Sequence, residues 1–511
     1  MFDCIIIGAG PGGIVCTKEF LERGITNIKC IEQSDSIGGV FSSSYDSMKL
    51  TSSAVFSMFS DHWVGEGQEH YFWSKKEAVQ YWVDYAHKFN VMESIQFGTK
   101  VIAVDRLEEG SWTVKIDNGE TLHCKRLVVA TGNNNEPKFP MWAKKLSNIS
   151  FSHSRDYRNA DGLEGKRVLV VGGGESASDV ALEASMIAEK CWVSLRASTG
   201  WVTPRKRGDR AADISTHRAI WSLPRSYGAT LSKMILKFDR AAGDPVLDAL
   251  VDLNERVPQK NGIWGTYGTK TLALPKAMAN HGCRIVGEIT KIDDANRALT
   301  DANGDVLENV DIVIFSTGYK TNIPFLPEEI QQVHPRNLYK HIFEPSLGDS
   351  IAWIGLARPA FGSQFPIMEM QARYCAHVFS GDITLPDAAT RKAVSAADSK
   401  LFHAQFGPSA ESIPSLVDYF KYMDGMAKII GCAPPILKYF FLKPRLWMRL
   451  VYGPTQATQF RLAGRGAKTR IAQEILYKVP VSKFNHVVKA GLKGRVKYAA
   501  LALVPKVFRK F

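Results

Sequence analysis

The 511-residue sequence predicts an α/β chain of two Rossmann-like domains, one inserted in the other, followed by a basic amphipathic C-terminal region. Three observations predict it. Phe2 to Ile7 (FDCIII) is an apolar run suited to a buried parallel strand. It enters Gly8-Ala9-Gly10-Pro11-Gly12-Gly13 and then a helical stretch from Ile14 to Arg23. The same order recurs as a strand at Arg167–Val171, the turn Gly172-Gly173-Gly174-Glu175-Ser176-Ala177 and a helix through Ala188. Two further apolar strands that end in Thr-Gly, Leu127–Gly132 and Asp311–Gly318, bracket that second repeat and so place it inside the first domain.

The strand–turn–helix setting gives G-x-G-x-x-G its meaning. Gly8 permits the tight turn, Gly10 lets the backbone approach a pyrophosphate, and Gly13 lets helix and strand pack closely. Ala9, Pro11 and Gly12 complete the turn. The pyrophosphate would lie at the helix N-terminus, where free N–H groups favour negative charge. The next strand, Ile28–Ile31, ends in Glu32, whose carboxylate can accept hydrogen bonds from a ribose diol. Gly39, Val40 and Phe41 form a second close approach of backbone to the cofactor's middle, and Thr131 and Gly132 close the first crossing strand.

In the second turn the candidates are Gly172, Gly174, Ser176 and Ala177; the fingerprint accepts Ala at the third glycine position. Strand Cys191–Leu195 ends in Arg196 where an acid would mark NAD. An Arg there suits a 2′-phosphate, with Ser198 and Thr199 beside it. A plain surface Arg is the competing reading, and Arg205, Lys206 and Arg207 are other sources of the charge. Thr317 and Gly318 end the second crossing. Two nucleotide sites without a metal or dithiol motif suggest one resident FAD, at the turn with Glu32, and one exchanging NADPH, at the turn with Arg196.

Composition is ordinary for a globular protein, 45% hydrophobic and 23% charged. The eight cysteines are scattered without C-x-x-C, which suits a reducing compartment. No apolar run reaches 18 residues, so no transmembrane helix is expected, and no signal peptide precedes the first strand. Between the motifs, Lys75–Phe89 reads as an amphipathic helix. Val101–Asp105, Trp112–Ile116 and Thr121–Cys124 read as hairpin strands broken by Glu109-Gly110 and Asn118-Gly119. Residues 42–60 read as a loop lining a site, and 208–280 carry few signals.

By their motifs these residues resemble the flavin-containing monooxygenases that oxygenate nitrogen and sulfur, in their longer, animal-type form. GAGPGG (8–13), GGVF (38–41) and ATG (130–132) are similar to the family's FAD side, GGGESASDVA (172–181) to its NADPH fingerprint, and SHSRDY (152–157) to its identifying sequence. STGYKTNIPFL (316–326), SIAWIGLARP (350–359), EMQARY (369–374) and YGPTQATQFRLAG (452–464) extend the resemblance to about residue 480. It implies reduction of FAD by NADPH and passage of one oxygen from a C4a-hydroperoxyflavin to an amine nitrogen or sulfide sulfur, with bulk water excluded. The alternatives are an NADPH oxidase that releases H2O2 and a non-catalytic nucleotide-binding scaffold. Reading from Tyr45-Asp46-Ser47, Thr51, followed by Ser52, stands where the family usually has an Asn that helps hold the peroxide. Thr51 is therefore the candidate catalytic residue, with one hydroxyl where Asn has an acceptor and two donors. Glu175 replaces another Asn; a carboxylate next to phosphates is unhelpful unless it points away, so Glu175 ranks low as a ligand. His153 reads as a packing residue.

The resulting division is a FAD domain at 1–155 and 311–435, an NADPH domain at 156–310 with a helical insertion, and the tail at 436–511. The tail holds 17 Lys and Arg against one acid, Glu474; the rest holds 47 bases and 50 acids, a balance of −3. Its basic residues alternate with Leu437, Phe440, Phe441 and Trp447, and again with Phe484, Val487 and Leu492, the pattern of a helix in a membrane interface; the resemblance implies that residues around 452–464 pack on the body, and the membrane contact is assigned to 480–511. The expectation is peripheral contact with the cytoplasmic face of a membrane, the endoplasmic reticulum in particular. Nucleic acid is disfavoured, because the aromatics form no stacking platform.

Overall fold

The structure, a computed structural model, describes residues 1–481 except 135, 197, 224–225 and 258–261. Residues 482–511 of the tail, with Phe484, Val487 and Leu492 of the expected membrane helix, therefore lie outside the described residues.

The first sheet runs β3-β2-β1-β6-β5-β4, with β1 (Phe2–Ile7), β2 (Ile28–Ile31), β3 (Ile95–Gln96), β4 (Val101–Arg106), β5 (Trp112–Ile116) and β6 (Thr121–Val129). Strands β3, β2, β1 and β6 are parallel, and β4–β5–β6 is an antiparallel meander. The two expected strands Thr121–Cys124 and Leu127–Gly132 are one strand, β6. Its first half pairs β5; its second half lies between β1 and Ile351–Trp353. Lys125 and Arg126 interrupt the apolar run but not the strand. Lys125 Nζ reaches Asp3 at 2.7 Å, and Arg126 binds Asp349 at 2.9 and 3.0 Å.

The second sheet is wholly parallel, in the order Arg284–Val286, Lys190–Ser194, Arg167–Val171, Ile312–Phe315, Ser150–His153. The chain thus returns to the first sheet not at Ile312–Phe315 but at Ile351–Trp353. Four apolar residues buried from both sides carry no mark of which parallel sheet they join. The two Thr-Gly crossings run side by side, since Glu136–Pro137 and Tyr319–Lys320 pair as an antiparallel ribbon.

Helix α1 (Pro11–Glu22) lies on the first sheet and packs against Gln364–Phe379, a helix buried along almost its whole length. A short helix, α2 (Ala54–Ser57), interrupts the expected 42–60 loop. Helix α3 (Lys75–Lys88) begins with a capping box in which Ser74 and Glu77 satisfy each other's backbone N–H groups. Helix α4 (Glu175–Ile187) covers the second sheet, and the sparse 208–280 stretch supplies Ser226–Ala241, Pro245–Glu255 and Ala273–His281.

Part of the basic tail is folded into the body. Residues Thr455 to Arg461 are almost fully buried. Arg461 reaches Glu369 at 2.9 Å and also Glu19, while Lys18 binds Glu19 at 2.9 Å and Asp61 at 2.6 Å. Lys468 joins Asp61 at 2.6 Å. The acids of the near-neutral body are spent here on cations of the tail. All eight cysteines are buried and free.

Candidate active site

At the first turn the glycines are sterically required. Gly8 has φ +103°, and a Cβ there would lie 2.8 Å from the Ala130 carbonyl oxygen; one on Gly13 would lie 1.8 Å from that of Gly8. A Cβ added to Gly10 would meet only Gly39 Cα, at 3.9 Å. Gly10 caps α1 without a side-chain acceptor, and the first turn holds no acid. The end of the helix is therefore bare backbone facing room, which fits a pyrophosphate. A Cβ added to Gly12 would lie 3.2 Å from Ile354 Cγ2. Glu32 is buried at the tip of β2. Its Oε2 accepts from Ala9 N–H at 2.7 Å, and its Oε1 accepts from Ser34 N–H at 2.9 Å and Ser34 Oγ at 2.8 Å. The carboxylate is thus fixed beside the turn. Gly39 has φ +57°, Val40 is exposed, and Phe41 stacks among Trp82 and Phe365.

The second turn repeats the geometry. Gly172 has φ +132°, and a Cβ there would meet the Ser316 carbonyl oxygen at 2.4 Å. Gly174 caps α4 with no heavy atom within 4 Å of an added Cβ, Ser176 follows in the first turn, and Ala177 is fully buried. A Cβ added to Gly173 would lie 3.2 Å from Ser198 O and 3.1 Å from Thr199 Cα, so that segment lies beside the turn. Arg196 is exposed at the strand end. Arg207 is held by Asp239 at 2.7 and 3.0 Å, whereas Arg205 reaches its nearest acid, Asp179, only at 3.9 Å. Gly132 and Gly318 both have positive φ at the crossings, and Thr317 donates to Lys138 O. Substituting Arg196 by Ala is expected to raise the KM for NADPH about tenfold, the worth of one charge-assisted bond, while leaving that for NADH unchanged. Steady-state kinetics with both nucleotides test this.

Glu175 does point away from the turn. Its oxygens accept from Tyr267 Oη at 2.9 and 3.0 Å, and Arg358 stands 3.7 Å off and donates to the same phenol oxygen. This resolves the apparent clash of a carboxylate at a phosphate-binding helix end.

The segment 51–57 lies between the domains. Ser52 Oγ bonds Ser57 Oγ at 3.0 Å and Ser363 Oγ at 3.2 Å, at the start of the Gln364–Phe379 helix. Ser53 N–H donates to Asp213 Oδ2 at 2.7 Å, so the insertion holds this loop. Thr51 precedes these anchors and is half-buried. Lys270 is buried nearby, with Nζ on Gly362 O at 3.0 Å. Burial lowers its affinity for a proton, against the pull of Glu175 and Asp213; burial raises that of Asp213 despite the Ser53 bond. His153 is buried, takes Arg155 N–H on Nδ1 at 3.1 Å and packs edge-on against Phe139 and Tyr319. No nucleophile–base pair is assembled from these residues, and among the described residues no cluster could hold a metal ion.

Sequence reasoning missed Asp213, Tyr267, Lys270 and Ser363. The first three lie in the stretch without motifs, and only contacts across the domains bring them to the loop. Arg358 was visible as part of SIAWIGLARP but had no partner in sequence.

Two Rossmann-like domains with glycine-lined helix ends define the class of dinucleotide-binding proteins. The chain belongs to the flavin-binding monooxygenase-like family, whose model matches residues 3–508. It is 32% identical over 498 residues to a 4-hydroxybenzoate brominase (decarboxylating) of Pseudoalteromonas luteoviolacea, covering 94% of each chain. It is 30% identical to dimethylaniline monooxygenase [N-oxide-forming] 2 of Oryctolagus cuniculus, covering 90% of this chain and 88% of the relative. Among solved structures, the fold is similar to S-allyl-L-cysteine S-oxygenase from Allium sativum, with TM-score 0.61, 19% identity and coverage of 97% and 98%.

Proposed function

We propose that the protein is an NADPH- and O2-dependent FAD monooxygenase that transfers one oxygen atom to a soft nucleophile, an amine nitrogen or sulfide sulfur. The observation that carries this reading is the pair of open glycine turns with the Thr51–Ser53 segment held between their domains. Glu32 and the Gly8–Gly13 turn would hold FAD; the Gly172–Ala177 turn and Arg196 would hold NADPH. Bound FAD, once reduced, supplies the activated oxygen. The chain's own part is to bind both dinucleotides, to place the Thr51 hydroxyl by the reacting centre and to keep water out. The dimethylaniline monooxygenase relatives support nitrogen as the acceptor.

A second reading takes bromide as the soft nucleophile, in line with the two brominase relatives at 32% and 33% identity. One assay decides between them. The FAD-loaded enzyme is given NADPH and O2 with N,N-dimethylaniline, methyl phenyl sulfide, or bromide plus 4-hydroxybenzoate, and products are read by mass spectrometry against NADPH consumed. N-oxide or sulfoxide formed one-for-one supports the first reading. Brominated phenol supports the second. H2O2 alone from every substrate would sink both and leave the oxidase. Thr51→Ala is expected to raise the fraction of NADPH lost as H2O2 at unchanged flavin content, if its hydroxyl holds the reacting oxygen.

We also propose that the protein docks on the cytoplasmic face of an anionic membrane. Among the described residues no helix is long and apolar enough to cross one. The helix Ile436–Leu442, however, exposes Leu437, Phe440, Phe441 and Leu442 beside Lys438, Lys443 and Arg445, a combination suited to the interface. Phe441→Asp with Leu442→Asp is expected to abolish flotation with phosphatidylserine vesicles, and added salt to weaken it; flotation unchanged by both refutes the assignment.

A further inference from the structure

Away from both glycine turns, a cavity of about 480 Å3 opens between α4, the start of Ala273–His281, and the segments around Ser47 and Arg205. Its volume is in the range of small-molecule sites. Phe72, Leu182, Met186 and Leu272 give it apolar walls, and Lys49, Lys206 and Lys276 stand around it.

The lining carries four cations, Lys49, Arg205, Lys206 and Lys276, against two acids, Asp179 and Glu183. Its two acids are both engaged by hydroxyls. Asp179 accepts from Tyr45 Oη at 2.7 Å and Thr271 Oγ1 at 3.2 Å. Glu183 accepts from Tyr157 Oη at 2.7 Å and from Ser47 Oγ. Burial moreover raises the Asp179 carboxyl above its ordinary range. Arg205 is the only cation of the lining near Asp179, at 3.9 Å. Lys206 lies 6.0 Å from the Tyr71 ring, and among the described residues Lys49, Lys206 and Lys276 make no ion pair. Three ammonium groups outside any ion pair among the described residues, in a lining with two more cations than acids need, are complementary to a ligand with an apolar body and one negative end.

We infer that this cavity binds an amphipathic monocarboxylate, its chain against Leu182 and Met186 and its carboxylate among Lys49, Lys206 and Lys276. The lining runs along α4 from Asp179 to Met186 and includes neither a residue of the Gly172–Ala177 turn nor Arg196.

The test is calorimetric titration of the full-length, FAD-loaded enzyme at saturating NADP⁺ with decanoate, decanol and decyltrimethylammonium. Decanoate is expected to bind, decanol to bind about tenfold more weakly, and the cation not to bind. The variant K49E/K276E, altered only at exposed side chains, is expected to lose about tenfold in decanoate affinity with NADPH oxidation unchanged, as two surface charge contacts would give. Met186→Trp, which narrows the cavity, is expected to weaken decanoate and decanol alike. Absence of decanoate binding, equal binding of decanol, unchanged affinity in K49E/K276E, or displacement of decanoate by NADP⁺ would each overturn the assignment.

Discussion

Gly13→Ala is expected to give a colourless protein. The added methyl carbon would lie 1.8 Å from the Gly8 carbonyl oxygen, far inside van der Waals contact. Gly8 cannot retreat, because its own α-carbon already faces the Ala130 carbonyl, with room for a Cβ only 2.8 Å away. Helix α1 would have to lift from β1, and the turn that receives the pyrophosphate would be lost with it. Flavin released on denaturation, measured per mole of purified protein, should fall close to zero. Gly174→Ala is the matched control: it occupies an extended N-cap with no atom within 4 Å of the new methyl, so it should fold and keep its flavin. A yellow Gly13→Ala protein with the parent flavin ratio would show that the first turn is not where the flavin nucleotide sits.

The second large effect is expected at Arg461, in the tail. Its guanidinium is buried with Glu369 at 2.9 Å and with Glu19, and its Nε donates to Ser60 Oγ at 2.7 Å. Arg461→Ala leaves two carboxylates in the interior with one cation fewer, a change that typically costs about 3–5 kcal/mol. The thermal unfolding midpoint should fall by several degrees. Glu19 also predicts the pH dependence. Burial alone would raise its pKa, but Arg461 and Lys18 outweigh burial and hold it at about 2. A carboxyl lowered in the folded state contributes stability above its unfolded value near 4.5 and loses it as pH falls toward 2. The parent should therefore destabilise steeply between those values, and Arg461→Ala less steeply. Identical slopes in acid titrations of the two proteins would remove Arg461 from that role.

These two sites differ in how far they can be read without a fold. The Gly13 argument starts from spacing: a strand, a glycine at each required position and a helix imply the close approach before any coordinate is known. Arg461 shows no such sign. The resemblance of 452–464 to the family implies that this part of the tail packs on the body, but it names no partner for Arg461. Only the folded chain brings Glu19, Asp61 and Glu369 from three distant segments to meet it and Lys468. The membrane reading now rests, among the described residues, on the exposed tip of Ile436–Leu442, while Thr455–Arg461 is interior.

Strand assignment divides in the same way. Apolar runs located β1, β6 and Ile312–Phe315, because burial in a parallel sheet demands continuous Ile, Val and Leu. They could not tell one sheet from the other, since both make the same demand. Ile312–Phe315 joined the second, and the hairpin strand and the crossing strand merged into β6 once Lys125 and Arg126 found partners at the sheet margin.

By itself the sequence determined the two nucleotide turns, the insertion of one domain in the other and the acid–arginine contrast of Glu32 and Arg196. These depend on local backbone geometry and on residues close in the chain. The tertiary structure alone decided which long-range contacts form: that Asp213 grips the Ser53 amide, that Ser363 meets Ser52, that Tyr267 and Arg358 turn Glu175 aside, and that three lysines stand around a cavity beside α4. Each joins residues more than 90 positions apart or lines a space between separate elements, and side-chain chemistry at such separations has no periodicity for a sequence to display.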